Sequence, residues 1–387
     1  MLSPQNAIKP VWQNPFRPFF LLGALFSCLV LLLWVSQLSG LIQLSTFGPA
    51  IFWHAHEMLF GFTMAIVVGF LLTAVVNWTG NPSAMGPALK MLVFLWCLSR
   101  LLWLFEQSPA WLVALSDVAF PWYAAYWLAK PLRNSGQKHN WRFVWVLALL
   151  GIGQIIYHAL LAFNPQFIPA LQQSVVLVMA NLVFWVGGRV LPFFVQARFQ
   201  IPRRPLPAWL TPAAMISSWS LVPLLLFKDI FIGQPWLLPV MAVLASVLHG
   251  FRLALYFTSA ILKEPMLWSL FIAPCWIIFG LMALAFDSAN WLHLITVGGL
   301  GGMILSMICR VSLGHTGEKV TALKWIPLAF GFMSLASLIR FFAQDIQLWS
   351  GAGFTLSALF WIGAFGCFLV HYSKRLLFYR KYLGRTP

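Results

Sequence analysis

Residues 53–76 read WHAHEMLFGFTMAIVVGFLLTAVV and decide the fold class of the chain. Two histidines and a glutamate stand at the start, and an apolar run without any charge follows them. The whole stretch has about the 20 residues that a helix needs to cross the hydrocarbon core of a bilayer. We therefore predict a transmembrane helix that carries His54, His56 and Glu57 at one end.

The composition extends this prediction to the whole chain. Hydrophobic residues make up 61% of the 387 residues and charged residues 8%, whereas a soluble domain carries about 25% charged residues. Backbone polar groups in lipid require helices or a closed barrel, and long continuous apolar runs favour helices. We predict an all-α polytopic membrane protein with one integral membrane domain over residues 1–387.

Twelve spans are predicted, with boundaries uncertain by a few residues. They cover roughly residues 19–38, 55–76, 88–105, 110–128, 141–163, 170–195, 208–227, 236–258, 267–286, 291–313, 325–344 and 350–372. With the N-terminus in the cytoplasm, most lysines and arginines fall in cytoplasmic segments, and Lys228 is the one in an outside loop. By the positive-inside rule, both termini are predicted to be cytoplasmic. The net charge of +16 is then a matter of topology and does not indicate a nucleic-acid partner.

Ionisable residues inside spans are costly and indicate function. The predicted topology places one group of them near the outside: His54, His56, Glu57, His158 and His293, with Asp117 nearby. Neutral imidazole binds zinc, copper, nickel and haem iron, so His54, His56 and His293 are candidate metal ligands. On a regular helix His54 and His56 point well apart. They therefore serve different centres, or one binds the metal and the other orients the ligand.

A second polar group lies towards the predicted cytoplasmic side. It comprises Arg189, His249, Arg252, Arg310, His315, Asn77 and Trp78. The chain has only eight acidic residues, and no carboxylate is evident at the depth of the three arginines. A haem propionate, a lipid phosphate or a quinone oxygen would supply an acceptor, unless the side chains reach the headgroups.

Two further patterns bear on the cofactor. The glycines of VGGLGGM, residues 297–303, let helices pack closely, which is the favoured interpretation, but they would also admit a flat macrocycle. The five cysteines form no C-x-x-C-H motif, so any haem would be non-covalent, of b type. Nucleotide and flavin motifs are not visible either.

Five stretches resemble the NnrS family in their order along the chain. They are NPFRPFFLLGALFS, WHAHEMLFGFTMAIVVGFLLTAVVNWTG, GGRVLPFF, HGFRLALY and HLITVGGLGGMILSMICRVSLGHTG. The resemblance runs from Pro15 to about Gly317, and the blocks WHAHE…NWTG and RVSLGHTG are its most specific parts. Family members are polytopic proteins of the bacterial inner membrane, described as containing haem and copper and associated with nitric-oxide metabolism. The resemblance implies the same location, metals and chemistry here. It matches these residues to motif positions: His54, His56, Glu57, Arg189, His249, Arg252, His293, Arg310 and His315.

The residues and the resemblance together predict a membrane-integral b-type haem protein, with copper as a further metal, that acts on nitric oxide as a reductase or detoxifying oxidoreductase. The candidate metal ligands are His54, His56, His249, His293 and His315. The candidate catalytic residues are Glu57 and His54. The candidate cofactor-binding residues are Arg189, Arg252, Arg310, Asn77 and Trp78.

Electrons would come from quinol or a redox partner. Two alternatives stay open: a transporter of a metal, haem or another small solute, and a non-enzymatic nitric-oxide sensor or assembly factor. Polar residues near both ends of the spans, rather than at the midplane, argue mildly against transport.

Overall fold

A computed structural model describes residues 9–133, 135–202, 205–343 and 350–378. Within these residues the chain forms twelve long helices, joined by loops and short 3-10 turns, and no strand. The helices are α1 (Phe16–Leu38), α2 (Ala50–Thr79), α3 (Pro87–Trp103), α4 (Ala110–Leu132), α5 (Trp141–Phe163), α6 (Ile168–Phe199), α7 (Leu210–Leu226), α8 (Leu237–Ala254), α9 (Pro265–Ala285), α10 (Trp291–Thr316), α11 (Ile326–Phe342) and α12 (Ser350–Phe378).

The helices confirm the all-α polytopic membrane fold. In the described part of the chain, eight of the twelve are long and apolar enough to cross a membrane: α1, α2, α5, α6, α8, α9, α10 and α12. Helices α7 and α11 are apolar but shorter, with 17 residues each. The number of helices agrees with the twelve predicted spans. The cytoplasmic location of both termini stays a prediction.

The described residues group into two compact units. The first unit is built from Met1–Ile168, Ile308–Lys319 and Phe368–Pro387, and the second from Pro169–Met307 and Val320–Cys367, as far as these ranges are described. Each unit therefore combines segments that are distant in sequence. The single membrane domain stays a prediction.

Helix α2 has clear physical boundaries. It begins after Pro49, whose extended backbone sets the start. It ends at Gly80, which adopts φ +69° and whose N–H donates to the carbonyl of Val76 at 2.8 Å. Glycine adopts this left-handed conformation without the strain that a Cβ causes. The NWTG part of the motif is therefore a helix stop, with Asn77 exposed and Trp78 half-buried at its last turn.

A π-helical turn interrupts α2 directly after its histidines, at Glu57–Thr63. A second π-helical turn in α10, Leu294–Gly301, directly follows His293. Such turns are frequent at functional sites because they insert a residue and release backbone groups from the helical ladder. In α2 the carbonyl of Gly61 accepts a hydrogen bond from Trp96 Nε1 at 2.9 Å. The π turn therefore joins α2 to α3 near the candidate site.

Arg17 connects α1 to the end of α12 inside the first unit. Its side chain is 1% exposed, and its Nη1 donates to the carbonyls of Arg375 at 3.3 Å and Leu376 at 2.9 Å. The last carbonyls of a helix lack partners within the helix and carry partial negative charge. The guanidinium of Arg17 therefore caps the C-terminal end of α12.

The glycines of α10 lie against side chains of the second unit. A Cβ on Gly298 would lie 2.6 Å from Ser337 Oγ and would overlap the ring of Trp276. A Cβ on Gly301 would lie 2.6 Å from Met333 Cε. These contacts account for both glycines by close helix packing, without a macrocycle beside the helix.

The substitution Gly298→Ala is expected to lower the thermal stability of the protein. The added methyl has no room between Trp276 and Ser337, and overpacking of this kind costs about 1–3 kcal/mol. The midpoint of heat-induced unfolding in detergent measures the effect. Gly331→Ala in α11 is the matched control, because a methyl there meets nothing within 4 Å. Equal midpoints for the two variants would contradict the packing role.

Candidate functional site

Asp117 of α4 lies at the centre of a buried polar cluster in the first unit, with 1% of its side chain exposed. Its Oδ2 lies 2.8 Å from His56 Nε2 and 3.0 Å from His158 Nε2. Its Oδ1 accepts hydrogen bonds from Ser99 Oγ at 2.9 Å and from Arg100 Nη2. Four polar groups from α2, α3 and α5 thus converge on one carboxylate.

Glu57 extends the cluster from the first residue of the π turn. It is fully buried, and its Oε1 lies 3.0 Å from His56 Nδ1 and accepts from Arg100 Nη1 at 2.9 Å. Its other oxygen, Oε2, has no hydrogen-bond partner among the described residues. Buried polar atoms are nearly always paired, so this oxygen marks a place for a proton or a ligand. We name His56, Glu57, Arg100, Asp117 and His158 the Asp117 cluster.

The contacts of His56 define the charge of the cluster. Both ring nitrogens face carboxylate oxygens, and an ionised carboxylate can only accept hydrogen bonds. An imidazolium, which donates from both nitrogens, satisfies Glu57 and Asp117 together. Two cations, Arg100 and His56, then balance two carboxylates. Buried charges are tolerated in a membrane when they are paired in this way.

Aromatic rings enclose His56. Trp103 stacks on the imidazole with ring centroids 4.0 Å apart and an interplanar angle of 25°. Phe60 and Tyr157 approach it at 5.1 and 4.9 Å, and Tyr157 donates its hydroxyl hydrogen to the carbonyl of Phe52 at 3.1 Å. Exclusion of water lowers the local dielectric constant, which strengthens the hydrogen bonds of the cluster.

Three members of the cluster could hold a metal ion. Ligand atoms of His56, Asp117 and His158 all lie within 4.8 Å of one another. Zinc binds imidazole nitrogen and carboxylate oxygen at about 2.0–2.2 Å, so tetrahedral ligand atoms lie roughly 3.4 Å apart. The observed nitrogen–oxygen distances of 2.8 and 3.0 Å are hydrogen-bond distances and are shorter than that separation, so binding of an ion would move the ligand atoms apart. An ion would replace the protons that the three side chains now share, because ligands bind in their deprotonated forms.

A haem fits His56 and His249 less well. An axial ligand needs a ring nitrogen directed at the iron and a flat cavity beside it. At His56 both nitrogens contact carboxylates and Trp103 covers the ring. At His249 the nitrogens lie 3.1 Å from Ser218 Oγ and 3.4 Å from Arg252 Nη1, and Phe184 stacks on the ring at 3.5 Å. Haem ligation by either histidine would require rearrangement and stays a prediction.

The other predicted metal ligands lie in separate surroundings. His54 stacks on Trp34 at 4.7 Å with an interplanar angle of 8°. His315 packs against Phe16 at 5.4 Å in the first unit. His293 belongs to the second unit and stands at the start of the π turn of α10. Of the predicted outer group, the structure therefore brings together His56, Glu57, His158 and Asp117.

The predicted inner group is divided between the two units. Arg189, His249 and Arg252 belong to the second unit, where His249 contacts Arg252. Arg310, His315, Asn77 and Trp78 belong to the first unit. Trp78 stacks on Phe143 with centroids 5.2 Å apart. The cofactor-binding roles of the predicted residues stay predictions: Arg189, Arg252, Arg310, Asn77 and Trp78.

Sequence reasoning missed Arg100 and assigned Asp117 and His158 no ligand role. Arg100 bridges the two carboxylates of the cluster. The sequence held a signal for this pair. Arg100 and Asp117 are 17 residues apart and lie in two adjacent predicted spans with a short loop between them. His158 lies outside the five stretches that resemble the NnrS family, so only its depth in the predicted fifth span pointed to it.

The comparison with known proteins identifies the family. No protein of curated function matches the chain in sequence. The family model described as NnrS protein matches residues 10–380 of the 387-residue chain. The match includes every helix described here and all residues of the Asp117 cluster. The chain therefore belongs to the NnrS family.

Proposed function

We propose that this protein binds nitric oxide at a metal ion held by His56, Asp117 and His158, and that it reduces the bound gas. The observation that carries the proposal is this buried set of two imidazoles and one carboxylate within membrane helices. Such a set leaves coordination positions open, as in non-haem iron sites. When bound, iron or copper would supply an open position and one-electron chemistry. The resemblance to the NnrS family supports nitric oxide as the ligand and the bacterial inner membrane as the location.

The surrounding residues orient the ligands and handle protons. Arg100 holds Asp117 through Oδ1, which leaves Oδ2 directed at the two imidazoles. Conversion of two nitric oxide molecules to nitrous oxide and water consumes two electrons and two protons. With a metal ion in place of the His56 proton, Glu57 can hold a proton beside the site, because its Oε2 is unpaired within the described structure. Nitric oxide is small and apolar and can enter through lipid, so the site needs no polar channel.

The substitution His158→Ala is expected to weaken metal binding by roughly 100-fold or more, since loss of a supporting partner alone costs 10–100-fold. The side chain of His158 is 11% exposed and lies at the edge of the cluster, so its removal disturbs packing little. Metal content and the electron paramagnetic resonance signal of the nitrosyl adduct measure the effect on purified protein loaded with iron or copper. His139→Ala, at an exposed histidine, is the control.

Equal metal binding by wild type and His158→Ala would refute the site. A stable nitrosyl adduct without turnover would support a sensor in place of a reductase. Solute flux in proteoliposomes without any nitric-oxide reaction would instead support the transporter.

A further inference from the structure

Helix α10 repeats the pattern of helix α2 from its histidine to its last residue. In each helix a histidine, His56 or His293, directly precedes the π-helical turn, and a glycine stands at the fifth position after that histidine. In each helix a threonine–glycine pair follows at the same interval from the histidine. The second glycine ends the helix with positive φ, +69° at Gly80 and +83° at Gly317. Helix α10 therefore corresponds to α2 residue by residue.

The helices that follow α2 and α10 correspond to each other as well. Helices α3 and α11 both carry a proline at their start and an arginine in their last turn. The interval from Pro87 to Arg100 in α3 equals the interval from Pro327 to Arg340 in α11. Arg340 of the second unit thus takes the position that Arg100 has in the Asp117 cluster.

The packing of α10 on α11 places Arg340 beside the start of the π turn. A Cβ on Gly298 would lie 2.6 Å from Ser337 Oγ, so these two residues stand at one level. Arg340 follows Ser337 by about one helical turn. Because consecutive spans run antiparallel, Arg340 lies about one turn before Gly298 along α10, near Leu294. In α2 the position of Leu294 belongs to Glu57, the first residue of the π turn.

Arg340 has different contacts from Arg100. Its guanidinium carbon lies 4.3 Å from the ring centroid of Phe354 in α12. Its Nη1 is buried and has no hydrogen-bond partner among the described residues, and it takes part in none of the ion pairs that those residues form. A guanidinium within a span is costly unless acceptors satisfy its N–H groups.

The residues at the corresponding positions explain this difference. Ser357 of α12 takes the position of Asp117, because the same interval separates each from the arginine of the preceding helix. Its Oγ donates to a backbone carbonyl of α11 at 2.8 Å. With Leu294 at the position of Glu57, both carboxylates that neutralise Arg100 are replaced by uncharged side chains. An anion from outside the chain would restore the balance of charge.

We propose that the second unit binds an oxyanion at Arg340, with His293 as a second donor, where the Asp117 cluster has its carboxylates. The side chain of Arg340 is half-buried in the last turn of α11, so an anion can approach from the helix end, and a side-chain rotation turns Nη1 towards it. A guanidinium binds two oxygens of a phosphate or a small oxyanion through parallel N–H bonds. His293 adds a ring N–H in the turn of α10 that contacts α11.

The oxyanion is either the phosphate of an anionic phospholipid or a free ion, and two measurements on the purified full chain distinguish these sources. In native mass spectrometry with phosphatidylglycerol and zwitterionic phosphatidylethanolamine, a lipid site retains one phosphatidylglycerol that Arg340→Gln loses. In delipidated protein, a site for free ions makes nitrite raise the heat-unfolding midpoint relative to chloride in the wild type but not in Arg340→Gln. Arg133→Gln, at an exposed arginine, is the control and should bind as wild type does.

The substitution Leu294→Glu tests the correspondence between the two sites. A carboxylate at this position is expected to pair with Arg340 as Glu57 pairs with Arg100. The variant should therefore lose oxyanion binding roughly ten-fold or more and unfold at a midpoint no lower than that of the wild type. Ile295→Glu is the matched control, because residue 295 is fully buried and an unpaired charge there lowers the midpoint.

The proposal would be overturned if neither probe bound the wild type, or if Arg340→Gln bound them equally well. Equal loss of stability in Leu294→Glu and Ile295→Glu would also count against it, because Arg340 would then not stand where Arg100 does. Asp345 lies outside the described residues. If Asp345→Asn strengthened oxyanion binding roughly ten-fold or more, that carboxylate would be the native partner of Arg340. Because the assays contain neither metal nor nitric oxide, their outcome is independent of the proposed function.

Discussion

Asp117→Asn is expected to destabilise the first unit strongly and to abolish metal binding. The carboxylate accepts from Ser99 and Arg100 and contacts both His56 and His158. An amide in its place carries no charge and directs two N–H groups at side chains that are themselves donors. Breaking a buried charge network by removing one partner costs about 3–5 kcal/mol.

The heat-unfolding midpoint and the metal content of the purified variant measure both effects. Asp229→Asn, at an exposed carboxylate in the loop between α7 and α8, is the control and should behave as wild type. If Asp117→Asn unfolded at the wild-type temperature and retained metal, Asp117 would have neither role.

Arg100→Gln is expected to destabilise the protein to a similar extent, and a second substitution should partly reverse the loss. Without the guanidinium, Glu57 and Asp117 share His56 as their cation, and the buried cluster carries excess negative charge. Glu57→Gln alone leaves excess positive charge. The double variant restores the balance between one carboxylate and one imidazolium, so it should be more stable than the sum of the single effects predicts, by roughly 0.5–3 kcal/mol.

Unfolding midpoints of the wild type, the two single variants and the double variant form a complete thermodynamic cycle. Strictly additive effects would show that Glu57 and Arg100 do not stabilise each other, despite the 2.9 Å that separates Arg100 Nη1 from Glu57 Oε1.

The helices could be predicted from the sequence because a membrane span needs only length and hydrophobicity. The run after Glu57 and the other apolar stretches satisfy both conditions, and twelve helices form where twelve spans were predicted. Glycines at 298 and 301 were also interpreted correctly as packing positions, since small residues in spans have few other uses.

The cluster could be predicted only in part, because residue depth follows from the sequence but helix rotation does not. The depth in the membrane that the topology predicts places Glu57, Asp117 and His158 at the same level as His56. Whether side chains at one level face each other depends on the π turn at Glu57–Thr63 and on how α3, α4 and α5 pack. Neither leaves a periodic pattern in the chain. The close approach of Arg252 in α8 to Gly188 in α6 could not be predicted from the sequence for the same reason, because the two helices are far apart along the chain.

The bond between Arg17 and Leu376 has a consequence for biosynthesis. The two residues are separated by 359 positions, and ribosomes add about 5–20 residues per second, so Arg17 waits roughly 20–70 s for its carbonyl partners. During that time Arg17 lacks these two carbonyl acceptors, and water or lipid headgroups have to solvate its charge. The first unit can therefore reach its final packing only after the last helix has been synthesised and inserted. A chain that stops short of that helix never forms the contact between Arg17 and Leu376, so its first helix stays without the partner that fixes it in the complete protein.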